Sequence, residues 1–130
     1  MRRSHEAPLQ ENRNDPVAAL AAQRSAVAAA GGAVYSEVPN GDLMVEQCAL
    51  WDLIYEHLSY FTASSLDLAC RRAGLTVTQR GVAFGDQFMW NEANLGEASD
   101  AVDTDAVAAA VDAAVAFGEN ARQRIATARH

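Results

Sequence analysis

Residues 51–61 read Trp51-Asp52-Leu53-Ile54-Tyr55-Glu56-His57-Leu58-Ser59-Tyr60-Phe61, and we call them the aromatic segment. They combine four aromatic residues, two acids and one histidine in a chain otherwise built largely from alanine and valine. The spacing of its apolar residues predicts an amphipathic helix over about residues 42–57. Its buried stripe consists of residues at i, i+3, i+4, i+7, i+8 and i+11, namely Leu50, Leu53, Ile54, His57, Leu58 and Phe61.

Two interpretations of Tyr55, Glu56 and His57 follow from this pattern. In a regular helix the three side chains fan across roughly 200° and cannot converge on one ligand, so His57 is a core histidine. If the helix unwinds near Glu56, all three can face one cavity, where an imidazole can take a proton while a carboxylate or phenol orients it. Spacing alone favours the core histidine.

Upstream, the chain predicts a helix followed by a strand. Asp15-Pro16 is a helix start, and Gly31-Gly32 ends that helix. Residues 33–38 form a β-branched and aromatic run that stops at the turn Pro39-Asn40-Gly41. Helix, glycine turn and strand make one half of a right-handed α/β unit. Ligands bind beyond the carboxyl ends of strands in open α/β sheets, which makes Glu37, Pro39 and Asn40 candidates for a pocket edge. A plain exposed turn is the alternative, and these residues alone favour it.

Downstream, the chain predicts a helix, a β-hairpin and a long last helix. Thr62 or Ser64 caps the first of these helices, and Gly74 ends it. Residues 75–84 and 87–93 alternate as two antiparallel strands joined at Gly85-Asp86. A polar stretch then leads into an alanine-rich helix through about residue 129, which carries a stripe of valines at i, i+4 and i+8: Val107, Val111 and Val115.

Charge and composition restrict the partners. The 130 residues carry a net charge of −7 and include no lysine, so we expect neither nucleic acid nor a membrane as a partner. A small molecule or another protein is the expected class. No apolar run follows the basic start of the chain, so we expect a cytoplasmic protein. Cys48 and Cys70 are far apart and form no CxxC pattern, which predicts two buried free thiols and no metal site.

Three segments resemble class I S-adenosylmethionine-dependent methyltransferases, and most closely the branch that contains deoxysugar C-methyltransferases. They are residues 34–40 (VYSEVPN), 51–61 (WDLIYEHLSYF) and 84–93 (FGDQFMWNEA). They occur in the family's order at about the family's spacing, and the resemblance covers residues 15–93. It implies an α/β fold with part of a Rossmann-like methyltransferase sheet: one parallel strand at Val34, then an antiparallel hairpin, with flanking helices and the C-terminal alanine-rich helix.

The resemblance also implies roles for individual residues. His57 is the expected base that removes a proton from the carbon to be methylated, and Glu56 and Tyr55 orient it or the substrate. Asn40, Pro39 and Tyr60 are the expected substrate-binding residues. The implied cofactor is S-adenosylmethionine, and the implied acceptor is a small molecule such as a nucleotide-linked keto sugar.

The family binds its cofactor through a glycine-rich loop that belongs upstream of residue 15. No G-x-G occurs in this sequence, so we expect no cofactor-binding residues and no measurable S-adenosylmethionine binding by the chain alone. We therefore expect a disordered lead-in at residues 1–14, the C-terminal half of a methyltransferase-like domain at residues 15–94, and a linker with the last helix at residues 95–130.

Three functions remain open on this basis. In the first, the chain is the acceptor-side half of a truncated methyltransferase, inactive alone and completed by a separate N-terminal half. Alternatively it is a non-catalytic binding remnant that forms a homodimer, burying a sheet edge and the valine stripe. The third alternative is a gene fragment without a stable fold or a function.

Overall fold

A computed structural model describes residues 4–6, 14–54 and 57–129, without the side chains of residues 4–6 and Asp52. It contains four strands and four α-helices in these ranges. In chain order they are β1 (Ser4–Glu6), α1 (Pro16–Ala30), β2 (Ala33–Pro39), α2 (Gly41–Gln47), α3 (Ala63–Arg72), β3 (Leu75–Ala83), β4 (Phe88–Leu95) and α4 (Thr104–Ala128). A short 3₁₀ helix at Leu50–Leu53 lies between α2 and α3. The chain is thus mixed α/β.

The four strands form one sheet in the order β1-β2-β4-β3. β1 pairs with β2 in parallel, whereas β4 is antiparallel to both β2 and β3. The predicted hairpin is confirmed, and its turn residues Gly85 and Asp86 both have positive φ, as a tight hairpin turn requires. The predicted disordered lead-in contains β1, while residues 1–3 and 7–13 lie outside the described part of the chain.

Local sequence signals set the helix ends that were predicted. Asp15 accepts a hydrogen bond from the amide of Ala18 (2.9 Å) at the start of α1, and Pro16 follows it. Thr62 and Ser65 form a capping box at the start of α3. Gly74, with φ of 78°, allows the chain to turn from α3 into β3.

The core lies between one face of the sheet and the helices α1 and α3. Residues that alternate along β2 and β4 point into it, because successive strand side chains face opposite sides. Its largest fully buried apolar side chains come from α1, β2 and β3, and they are Leu20, Val27, Val34, Val38 and Leu75. Arg24 of α1 crosses to the far end of this layer, where Nε donates to the Gly74 carbonyl (2.8 Å) and Nη2 to that of Gly96 (3.1 Å).

Candidate functional site

The predicted helix over residues 42–57 is wrong in its second half. α2 ends at Gln47, and Cys48 takes a left-handed conformation with φ of 51° and ψ of 50°. The 3₁₀ helix Leu50–Leu53 follows, and residues 57–60 have no regular secondary structure. The interpretation of His57 as a core histidine on an amphipathic helix therefore loses its basis.

The predicted buried stripe is also wrong for most of its members. Leu53, Ile54 and Leu58 are exposed at 45%, 80% and 62%, and of the six residues only Phe61 is buried. These side chains do not enter the core, so the described part of the aromatic segment before Phe61 lies at the surface of the molecule. Loops in this position are where binding and catalytic side chains are commonly found.

Two hydrogen bonds tie the end of the aromatic segment and the start of α3 to the start of α2. The amide of Gly41 donates to the carbonyl of Phe61 (2.9 Å), and the carboxylate of Asp42 accepts from the amide of Ala63 (2.8 Å). At the other end, Arg124 Nη1 of α4 donates to the Cys48 carbonyl (3.3 Å). The described residues of this loop, 48–54 and 57–61, thus start at the far end of α2 and return to its first residue, which follows the carboxyl end of β2.

His57 lies in this loop and is half-buried. Its ring meets the ring of Tyr60 edge to face, with centroids 5.7 Å apart and an interplanar angle of 88°. Tyr60 itself is 39% exposed. The structure therefore brings together one predicted catalytic residue and one predicted substrate-binding residue, whereas Tyr55 and Glu56 lie outside the described residues.

Asn40 connects β2, α2 and the hairpin. Its Oδ1 caps α2 by accepting from the amide of Leu43 (3.2 Å), and its Nδ2 donates to the Asp86 carbonyl (2.8 Å). Its own amide donates to the Gln87 carbonyl (2.9 Å). Asn40 also lines a cavity of ≈ 200 Å³, so at this residue the structure supports the pocket-edge interpretation over the plain exposed turn that the sequence favoured.

The other two candidates at this edge have structural roles. Pro39 stands opposite Phe88 in the ladder between β2 and β4. Glu37 accepts a hydrogen bond from the hydroxyl of Tyr35 (2.9 Å) on the sheet face away from the core. Asn40 is thus the residue of this turn that the structure places at a cavity.

Sequence reasoning missed the polar side chains on the far side of the same cavity. Asp67 of α3 and Arg80 of β3 form an ion pair there, with Oδ2 and Nη1 2.6 Å apart. Asn91 of β4 lies deeper and is 2% exposed. A signal for Asn91 was present, because an amide on the same face of an alternating strand as Met89 and Ala93 is a polar residue at an inward position.

Asn91 also contacts one of the two cysteines. Its Nδ2 donates to Cys70 Sγ (3.6 Å), and burial raises the pKa of the Cys70 thiol to about 11, although this hydrogen bond opposes the rise. The thiol is therefore protonated at neutral pH and unreactive. The prediction of two buried free thiols is confirmed, since Cys48 and Cys70 are both buried and unpaired with each other.

Within residues 4–6, 14–54 and 57–129, no group of three or more histidine, cysteine, aspartate or glutamate side chains is arranged to hold a metal ion. None of the helices described there is long and apolar enough to cross a membrane. Comparison with protein-family models and with curated proteins finds no match to the chain.

Proposed function

We propose that the chain supplies the acceptor side of an S-adenosylmethionine-dependent C-methylation site. His57 is the base that removes a proton from the carbon to be methylated, with Glu56 and Tyr55 beside it in sequence to orient it or the substrate. The acceptor is a small molecule with a carbonyl next to that carbon, such as a nucleotide-linked keto sugar. The cytoplasm is the proposed location, and the free thiols Cys48 and Cys70 fit its reducing environment.

The observation that carries the proposal is the position of His57. It is half-buried, outside any α-helix and against Tyr60, on a segment fastened to the first residue of α2. That residue follows the carboxyl end of β2, where ligands bind in open α/β sheets. A half-buried imidazole on a segment that returns to this edge is open enough to meet a substrate as a base.

The arrangement of strands supports the proposal at the level of the fold. β2 has a parallel neighbour on one side and an antiparallel strand of the hairpin on the other. Half a parallel sheet followed by a hairpin is what the resemblance to methyltransferases implies. The core between this sheet, α1 and α3 is well packed. It therefore favours a folded protein, and it argues against a gene fragment without structure.

The residues present do not fit the methyl donor. The junction from β2 to α2 is a strand-to-helix turn, but the amides of Asn40 and Gly41 are already engaged. The amide of Gly41 donates to Phe61, and the space beside its Cα is filled by the Phe61 carbonyl. We therefore propose that the donor is held by a complementing N-terminal half, and we assign no step through it to this chain.

The proton transfer can be tested without a methyl donor. In D₂O the chain should exchange the hydrogen next to the ketone of a nucleotide-linked keto sugar for deuterium, because a base that forms the enolate also returns a solvent deuteron. His57→Gln should slow the exchange by about 100-fold, the size typical of a lost general base. Proton NMR of the sugar measures the rate.

A second histidine gives a matched control. His5 stands opposite Val34 in the ladder between β1 and β2. It is six positions from Asn40 along the chain direction of β2, or about 20 Å. His5→Gln should leave the exchange rate unchanged. If His57→Gln exchanges as fast as the parent chain, His57 is not the base, and if the parent chain gives no exchange, the acceptor class is refuted.

A binding measurement tests separately whether this chain or a second chain holds the methyl donor. Titration calorimetry of the chain with S-adenosylmethionine should show no measurable heat of binding. Tight binding would show that these residues hold the donor themselves and would refute the proposal of a separate half.

The second candidate is a binding module that acts as a homodimer. One observation favours it: none of the 25 residues of α4 is buried, and Val107, Val111 and Val115 are exposed at 46%, 55% and 57%. Such a stripe commonly marks a protein contact. Sedimentation equilibrium distinguishes the two, because a dimer that dissociates on Val111→Asp supports this module, and a monomer at all concentrations excludes it.

A further inference from the structure

The cavity beside Asn40 lies between α3 and the two strands of the hairpin. Its volume is ≈ 200 Å³. Leu66 of α3, Val82 of β3 and Met89 of β4 give it apolar walls. For comparison, an apolar cavity of about 150 Å³ is large enough to bind benzene. The space therefore suits a molecule of about six to nine non-hydrogen atoms.

Asn91 is the buried polar group in this lining. The residue is 98% buried, and its Nδ2 is engaged with the Cys70 sulfur. Its Oδ1 has no hydrogen-bond partner among the described residues. A buried acceptor without a partner is destabilising, and in native proteins such groups are nearly always met by protein, water or a ligand. The missing partner must be a donor, because an amide oxygen only accepts.

The charges at the rim favour the same kind of ligand. Asp67 and Arg80 pair with each other across one side, and Asp42 adds a second carboxylate. Two carboxylates against one guanidinium leave the rim negative. A neutral donor or a cation is therefore favoured there over an anion, which the rim would repel.

We propose that this cavity binds a small amphipathic molecule, with an apolar body against Leu66 and Met89 and one hydroxyl or ammonium group that donates to Asn91 Oδ1. The site does not depend on methyl transfer. Neither the base nor the substrate carbonyl takes part in it, and His57→Gln should leave binding unchanged.

Four probes of similar shape separate the contributions of apolar contact, hydrogen-bond donation and charge to binding. They are toluene, benzyl alcohol, benzylamine and benzoate. Each is added to the full chain, and its dissociation constant is taken from shifts in a ¹H–¹⁵N correlation spectrum, in which the side-chain amide of Asn91 is followed directly. Benzyl alcohol and benzylamine should bind about fivefold more tightly than toluene, the size of one net hydrogen bond. Benzoate, which only accepts and is repelled by the rim, should bind most weakly.

Two variants and a control test the residues. Asn91→Leu keeps a similar volume without the acceptor and should abolish the preference for the two donors over toluene. Ala63→Phe fills the cavity from the first turn of α3 and should abolish binding of all four probes. Ser36→Ala is the matched control, because Ser36 stands opposite Asn91, is fully buried and also has an unpartnered oxygen, yet does not line the cavity.

Ser36→Ala should therefore bind the probes as the parent chain does. Equal affinity of the parent chain for toluene and benzyl alcohol overturns the proposal. So does an unchanged preference in Asn91→Leu, and so does the absence of binding by any probe, which would mean that water alone occupies the cavity.

Discussion

Replacing Gly41 with alanine should loosen the attachment of the aromatic segment and destabilise the whole chain. Gly41 is buried at the first position of α2, and its amide donates to the Phe61 carbonyl. A Cβ at this position would overlap the Phe61 oxygen and lie 2.8 Å from its carbonyl carbon. Both are backbone atoms, so the clash cannot be relieved by rotating a side chain.

The magnitude follows from three terms. Overpacking a closely packed site costs about 1–3 kcal/mol. Moving residue 61 away also weakens the hydrogen bond from the Gly41 amide, which contributes about 1 kcal/mol. Alanine gains at most about 1 kcal/mol over glycine in helix propensity, and less at a first position. The free energy of unfolding should therefore fall by about 1–4 kcal/mol.

Urea denaturation followed by circular dichroism measures this fall, with an unchanged dependence on urea concentration. Gly118→Ala is the matched control, because Gly118 lies inside α4 and a Cβ there meets no atom within 4 Å. The control should gain about 0.5–1 kcal/mol, since glycine is unfavourable inside a helix. If Gly41→Ala is as stable as the parent chain or more so, the return of the aromatic segment to α2 is refuted.

Two further predictions concern the core. Between pH 9 and 11 the free energy of unfolding should fall by up to about 1.4 kcal/mol per pH unit, because the pKa of the Cys70 thiol is raised from 9.0 to about 11 and only the unfolded chain ionises there. The Cys70→Ala variant should lose less stability than the parent chain over this pH range, as measured by urea denaturation at each pH. The prediction is contradicted if stability falls equally with pH in both. Arg24→Lys should lower stability by about 1–2 kcal/mol in urea denaturation, because one ammonium cannot reach both the Gly74 and Gly96 carbonyls, and an unchanged midpoint would count against that bridge.

The elements that sequence predicted well are those with a local signal at each end. Asp15-Pro16 starts α1, and Gly74 forms the turn after α3. Both signals depend only on residues a few positions away. The hairpin is similar, since Gly85-Asp86 suits the positive φ values that its turn needs. The predicted alternation of residues 87–93 is also confirmed, because Met89, Asn91 and Ala93 are buried while the residues between them are half-buried.

The path of residues 48–61 could not be predicted because distant contacts determine it. No glycine or proline marks the end of α2, and Cys48 adopts a left-handed conformation that is uncommon for its residue type. Its carbonyl is held by Arg124, 76 positions away, and the segment closes on Gly41 through a hydrogen bond across twenty residues. Helical spacing reports only local periodicity. A prediction based on it therefore extends the helix beyond Gln47, where tertiary contacts end it.

The cavity lining was missed for a related reason. Alternation places Asn91 on the face of β4 opposite Phe88 and Trp90, but which face is buried, and how deeply, depends on α3 packing over the strand. Asp67 and Arg80 are 13 positions apart on different elements, and only the crossing of α3 over β3 joins them. Pairing of this kind has no signature in a single sequence.

Asn40 is the residue at which the two proposed sites meet, and its hydrogen bonds limit what it can do in either. The Oδ1 atom already caps α2, and one N–H of Nδ2 already holds the Asp86 carbonyl. An amide side chain has two lone pairs and two N–H groups, so one of each is left for a ligand. Asn40 can therefore contact a methyl acceptor or a molecule in the cavity without releasing α2. The amide of Gly41, the first residue of α2, holds the Phe61 carbonyl. By capping α2, Asn40 therefore also helps to fix the end of the segment that contains His57.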